Sequence, residues 1–134
     1  TPEAHIMEFE RSFSGAPWEG TVGDCRALRA GNTIWVTGTA PVDPDGEVTA
    51  PGDGYIQGKR CLEIIREALE ELGAGLRHVV RTRMFVTDID RWEAYGQAHR
   101  EAFGQHPPTT TLVEVSRLIH PDMLIEIEAV AVVE

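Results

Sequence analysis

Two glutamates flank an isoleucine near the carboxyl end of the chain, inside the alternating segment Leu124–Val133. Alternation of this kind predicts a β-strand whose successive side chains point to opposite faces, so Glu126 and Glu128 share a face. A carboxylate there is either an exposed or ion-paired group, or a cleft residue whose raised pKa suits it to proton transfer. Both interpretations stay open for Glu126, whereas we expect Glu128 to be structural.

Arg83 is the cation best placed to meet these carboxylates, because it lies in a second alternating segment, His78–Thr87. Opposite charges on neighbouring strands commonly pair, which predicts an ion pair from Arg83 to Glu114 or Glu128. The alternative is that Arg83 points into a cleft near the threonine run Thr109–Thr111 and holds a substrate there.

The other side chains that could do chemistry form no recognisable metal or nucleophile site. The five histidines have no ligand spacing with one another or with the two cysteines, so no metal is predicted. Cys61 lies on the apolar stripe of a helix and is expected in the core, and Cys25 has no histidine nearby in sequence to activate it. Trp18, in the loop Ala16–Glu19, is the tryptophan whose position suggests a cleft lid, whereas Trp35 is expected in a strand core.

Two helices and several strands must position these groups. Apolar residues at three-to-four spacing in Cys61–Leu72 predict a helix that begins at Asp53 or Gly54 and ends at Gly73. A second helix is predicted for about Arg91–Phe103. Strands are predicted, after an irregular lead-in of about 20 residues, at Asp24–Ala30, Thr33–Thr39, His78–Thr87, Thr110–Ser116 and Leu124–Val133. Helical crossovers place both helices on one face of the sheet, and the other face needs a partner, most economically another copy of the chain.

The composition is that of one globular domain covering residues 1–134, with 42% hydrophobic and 25% charged residues. The 12 lysines and arginines are outnumbered by 22 acidic residues, and the resulting net charge of -10 would repel a nucleic acid. No apolar run is long enough to span a bilayer, and two cysteines cannot form the disulfide framework of a small secreted domain. We therefore expect a cytoplasmic protein that binds neither nucleic acid nor membrane.

Four segments resemble, in the same order, the Rid (reactive intermediate deaminase, YjgF-like) family, which is often labelled endoribonuclease L-PSP. The family patterns are G-N-x-I-x-x-S-G-Q-x-P-x, VVKTTVFLTDM, PARSxVEV and VEIEAVA, and the matching segments are Ala30–Val42, Val79–Asp88, Pro108–Val115 and Leu124–Ala131. The resemblance implies a chorismate-mutase-like α+β fold, in which a mixed sheet carries two helices on one face. It also implies a homotrimer with a central β-barrel and small-molecule sites in the clefts between subunits.

The resemblance implies a site as well. The best-known members hydrolyse enamines and imines such as 2-aminoacrylate and need no metal or organic cofactor. Glu126 matches the glutamate that assists water or substrate, and it is the catalytic candidate. The substrate-binding residues are expected to come from several segments of the chain, namely Thr110, Thr111, Gly38, Arg83, Phe85, Asp24 and Trp18. Among these, Gly38 matches the glycine whose backbone approaches the ligand, and Asp24 stands where many members have a tyrosine.

One departure from the family pattern affects the substrate. Thr110 stands where the family has the arginine that binds a substrate carboxylate, and a hydroxyl supplies no positive charge. The first hypothesis is therefore a hydrolytic deaminase of an imine or enamine other than 2-aminoacrylate, in which Arg83 or Arg26 replaces the missing cation. The alternative is a ligand-binding or regulatory trimer without chemistry, so the sequence leaves open whether the protein is an enzyme. An endoribonuclease or translation inhibitor is the third hypothesis, against which the acidic charge argues.

Overall fold

The computed structural model describes residues 8–134, which form a six-stranded mixed sheet with its longer helices packed on one face. The strands are β1 (Phe9–Ser12), β2 (Ala27–Ala30), β3 (Thr33–Thr39), β4 (Val79–Val86), β5 (Thr109–Glu114) and β6 (Ile125–Val132). The helices are α1 (Pro17–Val22), α2 (Gly54–Glu71) and α3 (Trp92–Phe103). The order across the sheet is β1-β2-β3-β6-β4-β5, and of its pairs the β4–β5 pair is parallel.

The hydrophobic core lies between the sheet and the helices α2 and α3. Every second residue of β6 faces it and is at most 2% exposed, and these residues are Ile125, Ile127, Ala129 and Ala131. The apolar stripe of α2 meets them with Cys61, Leu62, Ile65, Ala68 and Leu69. Removing these side chains from water is the main force that holds the helices on the sheet. The arrangement confirms the α+β fold with two helices on one face of a mixed sheet.

The ends of α2 are those that the sequence predicts. The Asp53 side chain accepts a hydrogen bond of 3.0 Å from the backbone N–H of Ile56, which satisfies one of the free donors at the helix start. Gly73, just beyond the last turn, has a φ of 84°, a left-handed conformation that glycine adopts without steric penalty.

The amino-terminal segment is more ordered than the predicted lead-in. β1 pairs antiparallel with β2 along its full length, and α1 begins at Pro17, whose fixed φ suits the first helical position. Trp18 therefore lies on a helix and not in a loop. The prediction was wrong because a four-residue strand has no recognisable period, and its pairing depends on residues distant in sequence. Residues 1–7 lie outside the described part of the chain.

A β-bulge in β4 changes which of its side chains face the core. The register with β6 shifts between Val79 and Arg81, so Val80 has no residue opposite it. Val79 is 4% exposed and Val80 is 45% exposed. Strict alternation along the predicted strand His78–Thr87 instead puts Val80 on the same face as Thr82, Met84 and Val86. That prediction was wrong because one extra residue reverses the alternation on one side of the bulge.

The face of the sheet away from α2 and α3 is largely open. Trp35 of β3 lies on this face, opposite Val130 of β6 and Leu28 of β2. Trp35 is 47% exposed, so its predicted place in a strand core was wrong. Alternation along β3 puts it on the opposite side from Ile34, which packs under the helices. An exposed tryptophan among aliphatic side chains is typical of a surface that another protein chain covers.

Gln57 joins α2 to the loop that leads into β6. Its side chain is completely buried, Nε2 donates to the carbonyl of Asp122 at 2.9 Å, and Oε1 accepts from the N–H of Leu124 at 2.8 Å. The amide thus satisfies two backbone groups that lie outside any strand pairing. These bonds fix the start of β6, and with it the position of Glu126.

Replacing Gln57 by leucine should lower the free energy of unfolding by about 2–6 kcal/mol, because two part-buried backbone groups lose their partners at about 1–3 kcal/mol each. Urea denaturation at one fixed protein concentration measures the change. Gln97→Leu, at an exposed position of α3, is the matched control and should alter stability by less than about 0.5 kcal/mol. A Gln57→Leu protein as stable as the wild type would contradict this role for the amide.

Candidate functional site

Glu126 and Gly38 meet where β6 passes the end of β3. The register between the two strands shifts between Val36 and Thr39, so Gly38 lies in an irregular part of β3. A Cβ built on Gly38 would lie 2.8 Å from Oε2 of Glu126, closer than real Cβ contacts. Any other residue at this position would therefore displace the carboxylate. The structure brings together two of the predicted site residues.

The Glu126 carboxylate is half-buried and has no ion-pair partner among residues 8–134. Burial raises its pKa, the charge of Glu128 raises it further, and the charge of Arg26 opposes these effects without cancelling them. Within residues 8–134 no group donates a hydrogen bond to this carboxylate. A carboxylate with a raised pKa and free lone pairs is suited to take a proton from a water molecule.

The residues opposite the two glutamates on β4 explain why their environments differ. Arg83 lies opposite Glu128, and its Nε is 2.7 Å from Oε1 of that carboxylate. Phe85 lies opposite Glu126 and offers no charge or donor. The predicted pairing of Arg83 with Glu128 is confirmed, so within one chain this guanidinium is directed to a carboxylate. With the side chains 48% and 33% exposed, such a pair stabilises the fold by only about 0–1 kcal/mol.

Arg26, the residue before β2, places a buried cation beside the same segment. The residue is 7% exposed, and its Nη1 donates to Oγ1 of Thr39 at 2.9 Å and to the carbonyl of Gly38 at 3.3 Å. Its Nε is buried and has no hydrogen-bond partner among residues 8–134. A guanidinium stays charged in proteins, so a fixed positive charge lies near Glu126 without forming an ion pair with it.

Two further carboxylates lie near Arg26. Burial raises the pKa of Glu19, but hydrogen bonds from Ser14 and Gly15 and the charge of Arg26 together outweigh burial, so the pKa lies below its ordinary value. The shortest of these bonds joins Oγ of Ser14 to Glu19 at 2.6 Å. Asp24 has a buried Oδ1 that accepts no hydrogen bond within the described part of the chain. Asp24, a predicted substrate-binding residue, thus has an unused acceptor.

The threonines of β5 do not join this arrangement within one chain. Thr111 is exposed on the open side of the sheet. Thr110 accepts a hydrogen bond of 2.6 Å from Thr82, which in turn lies 2.8 Å from Nε2 of His99, so Thr110 belongs to a network toward the helices. Strand β4 separates β5 from β6, and Thr110 therefore cannot contact Glu126 of the same chain.

Two concavities flank the segment that contains Arg26. The larger, of about 850 Å³, opens on the uncovered sheet face and is lined in part by Glu19, Asp24, Trp35, Arg81, Arg83 and Glu128. The smaller, of about 540 Å³, lies beside α1 and α2 and is lined in part by Ser12, Trp18, Arg26, Arg60, Glu67 and Glu71. Glu126 and Gly38 line neither of them. Within one chain the glutamate therefore lies on a central strand, outside both of these concavities.

The remaining sequence predictions concern groups outside this site. Within residues 8–134 no three histidine, cysteine or acidic side chains are close enough to hold a metal ion. Cys61 is completely buried, as predicted, and burial raises the pKa of its thiol. No helix in the described part of the chain is long and apolar enough to cross a membrane.

Sequence reasoning named Arg26 only as a possible replacement for the missing cation, and it did not include His99 in the predicted site. His99 carries a recognisable signal, because it lies four residues from both Tyr95 and Phe103, and all three are buried on one face of α3. Arg26 carries none of this kind, since its burial depends on how β2 meets the irregular end of β3.

Replacing Glu126 by glutamine should stabilise the protein at neutral pH. A carboxyl group whose pKa is raised by folding favours the folded state below its unfolded pKa, and that contribution is lost as the pH rises through the folded pKa. The stability gain of Glu126→Gln should therefore be small near pH 4 and grow as the pH rises past the ordinary glutamate pKa of about 4.3. Urea denaturation of both proteins between pH 4 and pH 8 measures this trend.

Glu47→Gln, at an exposed loop position, controls for the amide substitution itself, and the difference between the two variants is the quantity of interest. A Glu126→Gln protein that is less stable than the wild type at pH 7 would show that the carboxylate is a stabilising structural group. The raised pKa would then be wrong.

The chain matches the family described as Endoribonuclease L-PSP over residues 24–133. A RutC family protein of Pyrococcus abyssi is 40% identical over 106 residues, which cover 79% of this chain and 83% of the relative. The protein named 3-aminoacrylate deaminase RutC of Acinetobacter baylyi is 35% identical over 105 residues, which cover 78% of this chain and 82% of the relative.

A solved structure gives the same result for the fold. A member of the YjgF family from Mycobacterium tuberculosis superposes with a TM-score of 0.86 at 41% identity, covering 94% of this chain and 100% of that chain. The residues matched by the family, 24–133, include Arg26, Gly38 and Glu126 as well as strands β2 to β6 and the two long helices. The chain belongs to the Endoribonuclease L-PSP family, which is the Rid or YjgF family that its four sequence segments resemble.

Proposed function

We propose that this chain hydrolytically deaminates a small reactive imine or enamine, without a metal or organic cofactor, in clefts between the subunits of a homotrimer. The Glu126 carboxylate is the observation that carries the proposal, because it is half-buried, raised in pKa and not ion-paired. A structural glutamate on this strand would pair with a cation, as Glu128 does with Arg83. Glu126 instead keeps its lone pairs available to a water molecule.

Such a carboxylate supplies the base that imine hydrolysis needs. Glu126 takes a proton from a bound water as the water oxygen adds to the imine carbon, and the electron pair of the C=N bond moves to nitrogen. The nitrogen takes this proton back from Glu126 to give the carbinolamine and then takes a second proton from solvent. The C–N bond breaks, ammonia leaves, and the hydroxyl proton returns to solvent as the carbonyl forms. An enamine enters the same sequence after protonation on carbon. The raised pKa suits Glu126 to both taking and returning the proton.

The substrate is proposed to differ from 2-aminoacrylate because of Thr110. A threonine hydroxyl forms hydrogen bonds but cannot replace the charged, bidentate fork of an arginine. Arg26 does not restore that fork, since its Nη1 is engaged by Gly38 and Thr39. A neutral imine therefore fits the site better than a carboxylate-bearing one. Thr110 also favours the second candidate, a trimer that binds a small ligand and does no chemistry.

One relative adds a substrate to test. The Acinetobacter baylyi protein is named 3-aminoacrylate deaminase, which makes that enamine acid a natural comparison with 2-aminoacrylate. The family description also suggests RNA, and the net charge of -10 argues against it. A cytoplasmic location and a single domain over residues 1–134 stay predictions from the sequence.

The homotrimer is proposed on two observations. The sheet face around Trp35 is apolar and open, and a second copy of the chain is the simplest cover for it. Thr110 and Glu126 cannot meet within one chain, so a site that uses both needs β5 of one subunit beside β6 of the next. The clefts would then combine a hydroxyl donor and a carboxylate from different copies.

The wild type should release ammonia from an uncharged imine, such as one formed by an amine oxidase, faster than buffer does. It should be much slower on fresh 2-aminoacrylate, with 3-aminoacrylate as a third substrate. Glu126→Gln should lower the rate on the best substrate by about 100-fold, the usual scale of an acid–base group. Glu128→Gln is the matched control on the same strand and should retain most of the activity. Thr110→Arg should gain activity on 2-aminoacrylate.

The possible outcomes separate the hypotheses. Hydrolysis of 2-aminoacrylate by the wild type, at the rate of an arginine-bearing family member, would refute the substrate assignment but keep the deaminase. Equal activity of the wild type and Glu126→Gln would refute the role of Glu126. Binding of these compounds without ammonia release would establish the second candidate.

Light scattering after gel filtration should give a mass of about 44 kDa, three times the 14.8 kDa of one chain. Trp35→Glu should shift the mass toward that of one chain, because a buried charge in the interface is strongly unfavourable. Trp92→Glu is the control, since Trp92 is 56% exposed on α3 and away from the open sheet face. A wild-type protein that is monomeric at micromolar concentration would rule out the trimer and the shared cleft.

A further inference from the structure

Three polar side chains connect the edge of the sheet to the inside of α3. Thr110 lies on the edge strand β5, Thr82 lies beside it on β4, and His99 lies above Thr82 on α3. Oγ1 of Thr82 is 2.6 Å from Oγ1 of Thr110 and 2.8 Å from Nε2 of His99. Thr82 therefore bridges an exposed threonine and a buried histidine.

The inner part of this network is held firmly. Thr82 is 0% exposed and His99 is 9% exposed. The His99 ring packs on Phe103 with ring centroids 4.6 Å apart, and Phe103 is itself buried. Burial lowers the pKa of His99, so the ring is neutral and carries a single N–H.

Each of the three groups carries one exchangeable proton, so the hydrogen bonds run in one of two directions, toward Thr110 or toward His99. In the first direction, Thr82 donates its hydroxyl proton to Thr110. Its oxygen must then accept from His99, so the ring proton is on Nε2. The hydroxyl proton of Thr110 is left over, and within residues 8–134 no acceptor takes it.

We propose that His99 is a positioning residue that acts through Thr82 to hold the Thr110 hydroxyl as an outward hydrogen-bond donor to the bound ligand. This rests on the proposed function, in which Thr110 contacts the substrate. A fixed neutral donor matches a ligand with a lone pair at that point, such as an imine nitrogen or a carbonyl oxygen. The substrate class that follows is a neutral imine, bound by a donor where other family members place a charge.

A purely structural role for the network predicts something different. If His99 and Thr82 only filled the core, the opposite direction would serve equally well: Thr110 would donate to Thr82, and Thr82 would donate to Nε2 of His99. Loss of the Thr110 hydroxyl would then leave the ring unchanged. If His99 orients Thr110, loss of the Thr110 hydroxyl must change which ring nitrogen carries the proton. The tautomer of His99 therefore reports on the proposal without any ligand.

The first measurement is the His99 tautomer, from the two ring-nitrogen chemical shifts of ¹⁵N-labelled, ligand-free protein. The wild type should show the proton on Nε2. In Thr110→Val the Thr82 hydroxyl loses its acceptor and turns to Nε2, so the proton should move to Nδ1. Thr109→Val is the matched control, because Thr109 is the preceding residue of β5 and its hydroxyl donates to the carbonyl of Val80 instead. That variant should leave the tautomer unchanged.

The second measurement is ammonia release from the uncharged imine. His99→Leu should lower kcat/KM about tenfold, which corresponds to about 1.4 kcal/mol and is the scale of one lost hydrogen bond. His99→Gln places an amide N–H near the former Nε2 and should recover most of that loss. The melting temperatures of both variants show whether a loss of activity reflects a loss of fold. His99→Leu removes a buried polar group and His99→Gln keeps one, so a change in activity that does not follow the melting temperature is due to the hydrogen bond.

The results distinguish this proposal from the one on which it rests. A wild-type ring protonated on Nδ1, or a Thr110→Val ring identical to the wild type, would overturn the relay even in an active deaminase. A tautomer change in Thr110→Val, together with no ammonia release from any substrate, would leave the oriented Thr110 established and the proposed function wrong. A His99→Leu protein with wild-type kcat/KM would show that orientation does not matter to the ligand.

Discussion

Strand β6 is paired on both sides along most of its length, and the core and the candidate site both depend on that pairing. β3 and β4 hold it in antiparallel register, so its side chains must alternate between the helices and the open face. A slip of one residue would place Glu126 and Glu128 in the core and expose Ile125 and Ile127. The register that buries the aliphatic residues is therefore the register that presents the carboxylates. Gln57 secures it at the entry to the strand.

Two glutamates on one strand have different environments because of what each meets across β4. Arg83 neutralises Glu128, whereas Phe85 leaves Glu126 without a donor and contributes to its desolvation. The backbone at Gly38 then approaches the carboxylate closely enough that no side chain fits between them. The charge of Arg26 partly offsets the effect of burial on Glu126, although the two side chains do not form an ion pair. One carboxylate of this strand is thus only partly compensated, and its pKa is raised for that reason.

Much of this could be predicted from the sequence, and the failures share a physical cause. The helices, the hairpin at Gly31, the pairing of Arg83 with Glu128 and the core position of Cys61 follow from periodicity, turn residues and charge. The family resemblance assigned both Gly38 and Glu126 to the ligand site, which spacing alone would not. The existence of strand β1 and the exposure of Val80 were not predicted, because both depend on pairing with residues distant in sequence. The burial of Arg26 and the bond between Thr82 and Thr110 were missed for the same reason.

The parallel strand β5 ends the sheet, so one side of its backbone has no partner within the described chain. Its sequence, three threonines followed by leucine and valine, is rich in residues that favour strands and carries one charge, Glu114, at its end. An edge of this kind lacks the lysines, prolines and bulges with which isolated domains discourage unwanted strand pairing. A chain with such an edge is therefore least prone to unwanted strand pairing when another subunit covers the edge soon after folding. The concentration of newly made chains, and not only the stability of each chain, would then determine how much of this protein avoids aggregation.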